Sequence, residues 1–268
     1  MTENRPAGSP EPYAAVLCDI DGVLRHWPAD DEIEHAHGLP VGALAAAAFT
    51  PARVHPAITG EITDEQWRSA VAADLATTCG SQERARAAVA AWSALVPTVD
   101  RELVALLTQV RTVASVALVS NGTTRLEQDL ARQGLDTLAH AVVNTARIGV
   151  AKPDPRIYRI AAERVGAPAA RCLFIDDTAA NVTAARQAGM AALHYRQLDE
   201  LRYGSHAPAR PAAVARRGSS GGRGRAWCGA ASSGRTRNIP RWTKPFRTGA
   251  PSTDPGRGGV ATAFSSRR

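Results

Sequence analysis

The sequence has few cysteines and no long hydrophobic run. Its four cysteines, Cys18, Cys79, Cys172 and Cys228, fall in no CxxC or zinc-ligand spacing, so we expect neither a disulfide framework nor a structural zinc site. The longest apolar run, VGALAAAAF, is too short to cross a bilayer. The first residues, MTENRPAGSPEPY, lack the apolar core of a secretion signal. We therefore expect a cytoplasmic protein with no membrane partner.

The net charge of +7 comes from one end of the chain. From Ser205 onward there are 13 Lys and Arg residues against one acid, Asp254, whereas residues 1–204 carry 19 basic and 24 acidic residues. The segment 205–268 is rich in Gly, Ser, Pro and Arg and has no helical or strand periodicity, which predicts a disordered basic tail. Such a tail can neutralise phosphates, so binding of nucleic acid is an alternative function, although a solvated appendage or a coding-frame artefact explains the same composition.

The rest of the sequence alternates between strand and helix patterns. Apolar strand-like runs cover residues 14–18, 113–119, 140–144, 171–175 and 190–195, and helical patterns separate them. This alternation predicts an α/β fold with a Rossmann-like parallel sheet. One long helical stretch follows the first strand, with Trp67, Val71 and Leu75 at a spacing of four and a capping-box pattern at Thr63 and Gln66. We predict a core of residues 1–25 and 99–204 and a small all-helical inserted domain of residues 26–98.

Carboxylates follow two of the predicted strands. Asp19 and Asp21 come directly after the first strand and are followed by Gly22, while Asp176 and Asp177 come at the end of another. The carboxyl ends of parallel strands share one edge of the sheet, which is where ligands bind in open α/β folds. Two pairs of acids at one edge repel each other unless a cation lies between them, and oxygen ligands favour Mg²⁺.

Other polar residues follow the remaining strands. Ser120 and Asn121 end the second long strand, and Thr124 with Glu127 forms a capping-box pattern that predicts a helix N-terminus and an anion site. Lys152 is the only lysine before the tail. In a chain that otherwise uses arginine, this indicates that a compact ammonium group is needed at that position, although a lysine kept there by chance explains the same observation.

Four segments in this order resemble the motifs of the haloacid dehalogenase (HAD) superfamily of hydrolases. They are DIDGV, SNG, KPDP and DDTAAN, and the resemblance extends over residues 13–204. It implies that the helical insert is a cap of the first type, as in subfamily I. The tail has no counterpart in the family core.

The resemblance also implies roles in phosphoryl transfer. Asp19 is expected to be the nucleophile that forms an aspartyl-phosphate, and Asp21 the acid that protonates the leaving oxygen and then assists water. Lys152 is expected to neutralise the nucleophile and the charge that develops on the phosphoryl group.

The same resemblance implies a phosphate-binding loop and a metal site. The SNG segment, Ser120, Asn121 and Gly122, is expected to hold the phosphate oxygens. Mg²⁺ is expected to bind Asp19, the main-chain carbonyl of Asp21 and Asp177, with Asp176 beside it or acting through water, and Asn181 is expected to orient these ligands.

The function predicted from these observations is Mg²⁺-dependent hydrolysis of a small phosphorylated metabolite, by a monomer or homodimer. A 2-haloacid dehalogenase of the same superfamily is the alternative enzyme, since it shares the Asp nucleophile and the helical cap but needs neither metal nor an acid at the second position. The sequence does not identify the substrate. His26, Trp27, His35 and His37 lie near the expected hinge of the cap, where they either contact substrate or serve packing and surface roles.

Overall fold

A computed structural model of the chain describes residues 13–204. The predicted tail, residues 205–268, lies outside the described residues. None of the helices between residues 13 and 204 is both long enough and apolar enough to span a bilayer. The strands are β1 Ala15–Cys18, β2 Arg25–His26, β3 Thr98–Val99, β4 Ser115–Ser120, β5 Ala141–Asn144, β6 Cys172–Asp176 and β7 Ala191–His194. The helices are α1 Asp31–Ala36, α2 Ala43–Ala48, α3 Pro51–Ile58, α4 Asp64–Cys79, α5 Gln82–Ser93, α6 Arg101–Val110, α7 Leu126–Arg132, α8 Thr145–Ile148, α9 Pro155–Arg164, α10 Ala179–Gln187 and α11 Leu198–Gly204.

Five strands form a parallel sheet in the order β5-β4-β1-β6-β7. This confirms the predicted Rossmann-like α/β fold, and each predicted strand lies within two residues of its observed bounds. The chain leaves β1 at the centre, builds β4 and β5 on one side, and then adds β6 and β7 on the other. The carboxyl end of β1, where the direction of building reverses, is therefore the place at which this class of sheet binds ligands.

Each face of the sheet is covered by an apolar layer. Alternate residues of a strand point to opposite faces, so Ala15 and Leu17 of β1 belong to one buried cluster while Val16 and Cys18 belong to the other. Tyr158 of α9 fills the first cluster. Burial on both sides explains why the strands are almost continuous apolar runs rather than alternating ones.

Helices α1 to α5 form a separate helical insert between β2 and β3. Its own apolar cluster is built on Trp67 and Trp92, whose ring centroids lie 5.6 Å apart, with Phe49 packed against both. The predicted capping box is present, since Thr63 accepts from the main chain of Gln66 and the Gln66 side chain accepts from the main chain of Thr63. The division of the chain into domains at residues 25/26 and 98/99 stays a prediction.

A two-stranded antiparallel ribbon of β2 and β3 carries both chain crossings between the sheet and the helical insert. Arg25 pairs with Val99 and His26 with Thr98. Because the two crossings are adjacent strands of one ribbon, any movement of the insert against the sheet passes through it.

The helical insert also contacts the sheet through the first turn of α4. Asp64 is buried, and its carboxylate accepts from the Thr123 hydroxyl at 2.7 Å and from Arg68 at 2.5 Å. The main-chain N–H of Asp64 donates to the Thr124 hydroxyl. Arg125 Nε lies 3.9 Å from the same carboxylate.

These contacts correct the capping box expected at Thr124 and Glu127. Helix α7 begins at Leu126, with Arg125 at the N-cap and no side-chain cap. The Thr124 hydroxyl instead accepts from Asp64, and Glu127 accepts from Asn144. The tertiary partners replace the local cap, because Asp64 reaches Thr124 from the helical insert and Asn144 reaches Glu127 from β5.

We expect Asp64→Ala to destabilise the protein by about 3 kcal/mol, or about 6–12 °C in Tm, because it leaves Arg68 and Thr123 without their buried anion. Asp74→Ala is the matched control, since it lies in the same helix and its ion pair with Arg53 is partly exposed on both sides. That loss should stay below about 1 kcal/mol. Thermal and urea unfolding followed by circular dichroism measures both, and equal losses would contradict the proposed importance of the Asp64 contact.

Candidate active site

Asp19 lies one residue beyond the central strand, at the carboxyl edge of the sheet. Its main-chain N–H donates to the carbonyl of Ile175, which extends the β1–β6 pairing past Cys18. The side chain is 6 % exposed, and its Oδ1 accepts from the main-chain N–H of Ile20 at 2.7 Å. The end of β1 therefore presents a carboxylate that is almost buried and held by its own backbone.

Lys152 reaches this carboxylate from the segment before α9. Its Nζ lies 2.7 Å from Asp19 Oδ1 and 2.8 Å from Asp176 Oδ2, and it also donates to the carbonyl of Val119 at 2.9 Å. All three hydrogens of the ammonium group thus have acceptors. The three acceptors lie at the carboxyl ends of three neighbouring strands, β4, β1 and β6. The Lys152 side chain therefore links the ends of the three central strands of the sheet.

The charges in this cluster shift one another's pKa values. Burial raises the pKa of Asp19 well above its ordinary value, and Asp176 raises it further, while Lys152 opposes both. Burial alone would lower the pKa of Lys152, but Asp176 and Asp19 outweigh it and raise that pKa. Lys152 is therefore a permanent cation, whereas the anionic form of Asp19 depends on the positive charge near it.

Asp176 is the most fully bonded of the acids. It ends β6, is fully buried, and accepts from Lys152, from the main-chain N–H of Thr178 and from the Asn181 side chain. Asn181 Nδ2 lies 3.1 and 3.0 Å from the two carboxylate oxygens. The predicted orienting role of Asn181 thus has a geometric counterpart, and Asp176 itself holds Lys152 in place.

Asp177 is half-buried and packs against Gly22. Gly22 has φ +85°, and a Cβ built on it would overlap the Asp177 carboxylate. The turn after Asp21 therefore needs glycine both for its backbone conformation and for this close approach. The main chain of Asp177 also has a contact, because His194 Nε2 of β7 lies 2.8 Å from its carbonyl oxygen. Gly22 and His194 therefore both contact the loop that carries Asp177.

The donor set of this edge fits a hard divalent cation. One oxygen each from Asp19, Asp176 and Asp177 lies within 4.8 Å of the others. Burial and the charge of Asp176 raise the pKa of Asp177, with Lys152 acting in the opposite direction. One ammonium group faces three carboxylates, so a site made only of oxygen ligands has an excess of negative charge that Mg²⁺ would balance.

The Ser120-Asn121-Gly122 loop follows β4 beside this cluster. Ser120 is buried as the last residue of the strand. The Asn121 side chain forms two hydrogen bonds with the main chain of Lys152, donating to its carbonyl at 2.9 Å and accepting from its N–H at 2.8 Å. A Cβ at Gly122 would crowd Leu126. The loop therefore lies against the lysine segment, and the Asn121 side chain fixes that segment.

Asp21 stands apart from the other acids. Its side chain is 38 % exposed, and its carboxylate accepts from Arg25 and from the indole N–H of Trp27. The structure thus brings Asp19, Lys152, Asp176 and Asp177 together but turns the Asp21 carboxylate toward the β2–β3 ribbon. The roles assigned to these residues stay predictions.

Several partners of the site escaped the sequence reasoning. Arg25 and His194 carry no motif of their own, because each acts through a contact that only the folded turn or the neighbouring strand creates. The SNG motif identified Asn121 but not the contact of its side chain with the main chain of Lys152. A weak signal exists for His194, since this polar residue lies near the end of the predicted apolar strand 190–195, as Asp19 and Asp176 directly follow theirs. Trp27 is expected near the hinge of the cap, and the structure gives Asp21 as its partner.

Among curated proteins, two partial matches are close in sequence. Phosphatase MT3486 of Mycobacterium tuberculosis (strain CDC 1551 / Oshkosh) is 48% identical over 58 residues, which cover 22% of this chain and 27% of that protein. Pyrimidine 5'-nucleotidase YjjG of Escherichia coli (strain K12) is 34% identical over 104 residues, which cover 36% of this chain and 46% of that protein. The chain thus spans less than half the length of these curated relatives.

Among solved structures, the fold is similar to the folds of two HAD family proteins. The HAD family enzyme bt-2542 from Bacteroides thetaiotaomicron, solved as a magnesium complex, has a TM-score of 0.57 and 20% identity over 72% of this chain and 100% of that chain. A predicted HAD-like family hydrolase from Porphyromonas gingivalis has a TM-score of 0.58 and 18% identity over 74% of this chain and 100% of that chain. At these identities the likeness shows the fold.

A family model supplies the decisive comparison. The model for haloacid dehalogenase-like hydrolases matches residues 13–189, which include every residue of the acid and lysine cluster described above. The match extends over more than half of the chain and nearly all of the part that the structure describes. The chain belongs to the haloacid dehalogenase-like hydrolase family.

Proposed function

We propose that this hydrolase is a Mg²⁺-dependent phosphatase that acts on a small phosphorylated metabolite through an aspartyl-phosphate on Asp19. The observation that carries the proposal is the buried cluster in which Lys152 joins Asp19 to Asp176, with an oxygen of Asp177 within 4.8 Å of an oxygen of each of these two acids. The two curated relatives support it, since one is a phosphatase and the other a nucleotidase.

Asp19 is arranged to attack phosphorus. Both donors described for its carboxylate, the Ile20 N–H and Lys152 Nζ, hold Oδ1. Within the described residues, Oδ2 thus keeps its lone pairs for the attack. In the first step the Oδ2–P bond forms as the P–O bond to the leaving group breaks, and Asp21 gives the leaving oxygen its proton. In the second step Asp21 takes a proton from water as the water oxygen attacks phosphorus and the Oδ2–P bond breaks, which restores the Asp19 carboxylate and releases phosphate.

Phosphoryl transfer mainly needs electrostatic stabilisation and positioning. Lys152 supplies a fixed positive charge beside Asp19, and the Ser120 hydroxyl and the main-chain N–H of Asn121 are the donors proposed for the phosphate oxygens. The Asn121 side chain forms two hydrogen bonds with the main chain of Lys152, so the loop that carries these donors is fixed directly to the segment that carries the ammonium group.

The proposed metal ligands are Asp19, the carbonyl of Asp21 and Asp177. Asp176 supports them from the side, because its own oxygens are engaged by Lys152, Thr178 and Asn181. Bound there, Mg²⁺ would neutralise phosphate oxygens and make phosphorus more electrophilic. The magnesium complex of the Bacteroides thetaiotaomicron enzyme supports this choice of ion.

Asp21 favours phosphatase over dehalogenase chemistry. An alkoxide is a poor leaving group unless it is protonated, whereas a halide departs as a stable anion and needs no acid. A carboxyl group two residues after the nucleophile therefore has a use in phosphate ester hydrolysis that it lacks in dehalogenation.

Asp19→Asn should abolish phosphate release while the fold is retained, because the amide is not a nucleophile but fills nearly the same volume. Phosphate release from a panel of phosphorylated metabolites, with and without Mg²⁺, measures the loss and narrows the substrate. Asp74→Asn, at the partly exposed ion pair of α4, is the matched control and should retain activity. Full turnover by Asp19→Asn, with deamidation excluded by mass spectrometry, would overturn the mechanism.

Removal of divalent metal by EDTA should lower phosphatase activity by about a hundredfold or more, and added Mg²⁺ should restore it, because Asp19 and Asp177 are then left as mutually repelling anions. The control uses 2-chloropropionate as substrate with the same protein samples. Chloride release without metal, together with no hydrolysis of phosphate esters, would replace the proposal with a dehalogenase.

Asp21→Asn should slow the hydrolysis of alkyl phosphates by about a hundredfold and affect the first step with p-nitrophenyl phosphate much less, because nitrophenolate leaves without a proton. Hydrolysis of the phospho-enzyme should still be slow. Rapid mixing should therefore record a burst of nitrophenol followed by slow turnover. Normal turnover of alkyl phosphates by this variant would remove Asp21 from the acid–base role.

A further inference from the structure

The Asp21 carboxylate is held by three hydrogen bonds from two residues of the β2 segment. Arg25 donates to it twice, from Nε to Oδ1 at 2.7 Å and from a terminal nitrogen to Oδ2 at 3.2 Å. The indole N–H of Trp27 donates to Oδ1 at 2.6 Å. A two-pronged guanidinium contact fixes both the plane of a carboxylate and its direction within that plane. The Trp27 N–H adds a third hydrogen bond from a second residue.

Arg25 is itself immobilised. It is 3 % exposed, its other terminal nitrogen donates to Gln133 at 3.2 Å, and its guanidinium carbon lies 5.3 Å from the centre of the Trp27 ring. Its main chain closes the turn that carries Asp21, since its N–H donates to Ile20 and its carbonyl accepts from Gly22. The donor side of the contact is therefore rigid, and the orientation of Asp21 follows from it.

We infer that Arg25 and Trp27 are positioning residues for Asp21 and set the direction in which this carboxyl group faces the leaving oxygen. The inference rests on the proposed function and extends it, because it assigns the orientation of the acid to two residues outside the four motifs.

Charge compensation accounts for only part of these contacts. The Asp21 carboxylate offsets the burial of the Arg25 guanidinium, whose side chain is 4 % exposed, but the Trp27 N–H is a further donor to a carboxylate that is itself 38 % exposed. Orientation is different, because a catalytic group must be held close to its productive geometry, and a displacement of about 1 Å can cost a hundredfold in rate. Three hydrogen bonds to the half-exposed Asp21 carboxylate would hold it in one orientation.

The test compares kcat/KM for an alkyl ester, glycerol 3-phosphate, with kcat/KM for p-nitrophenyl phosphate. Trp27→Phe keeps an aromatic ring at this position but removes the N–H donor. We therefore expect kcat/KM for the alkyl ester to fall about tenfold and kcat/KM for the aryl ester to change little. In an Asp21→Asn background the same substitution should have no further effect, because the group it orients is gone.

Trp67→Phe is the matched control. It removes an indole hydrogen bond of similar kind, to the carbonyl of Ala48 inside the helical insert, and should lower Tm without changing the ratio between the two esters. Arg25→Lys is the second variant, since it keeps the charge but replaces the two-pronged contact with a single ammonium. It should reproduce the selective loss on the alkyl ester, again only when Asp21 is present.

Equal losses on both esters, or the same loss with and without Asp21, would overturn the inference and leave the proposed function standing. A wild-type protein that hydrolyses neither ester nor any phosphorylated metabolite would overturn both.

Discussion

The ion pair of Lys152 with Asp19 and Asp176 is the constraint on which the rest of the site depends. A parallel sheet places the ends of its strands at one edge, so any carboxylates that follow β1 and β6 are forced together. Their repulsion in a buried setting would be costly, and the single ammonium group between them compensates part of it. The remaining negative charge is what the proposed Mg²⁺ would balance.

The same arrangement explains why supporting residues surround the cluster so closely. The Asn121 side chain holds the main chain of Lys152, and Asn181 holds the carboxylate of Asp176. A buried charge tolerates little displacement, since a lost contact leaves it unpaired in a medium of low polarity. The Ser120-Asn121-Gly122 loop, the lysine and the acids therefore form one unit rather than three independent parts.

The fold and the main acids were predictable from the sequence because both depend on simple periodicities. Buried strands are continuous apolar runs, and the residues after Cys18 and Ile175 are acidic in each case, which located the sheet edge. The failures have a common physical origin. The local pattern at Thr124 and Glu127 specified a helix cap, but tertiary partners on α4 and β5 replaced it. The orientation of Asp21 depends on the turn from Ile20 to Arg25, whose hydrogen bonds have no sequence signature.

The adjacent crossings of the β2–β3 ribbon make the helical insert a module. Arg25 and Val99 pair directly, so the chain leaves the sheet and returns to it about one strand spacing, roughly 5 Å, apart. A guest domain whose own ends lie that close together satisfies the same boundary condition, whatever its fold. The helical insert can thus be exchanged or enlarged during evolution without disturbing the strands that hold the acids, provided that the new domain supplies a partner for Thr123 and Arg125 in place of Asp64. An engineer who wishes to graft a new binding surface onto this sheet has the same freedom under the same condition.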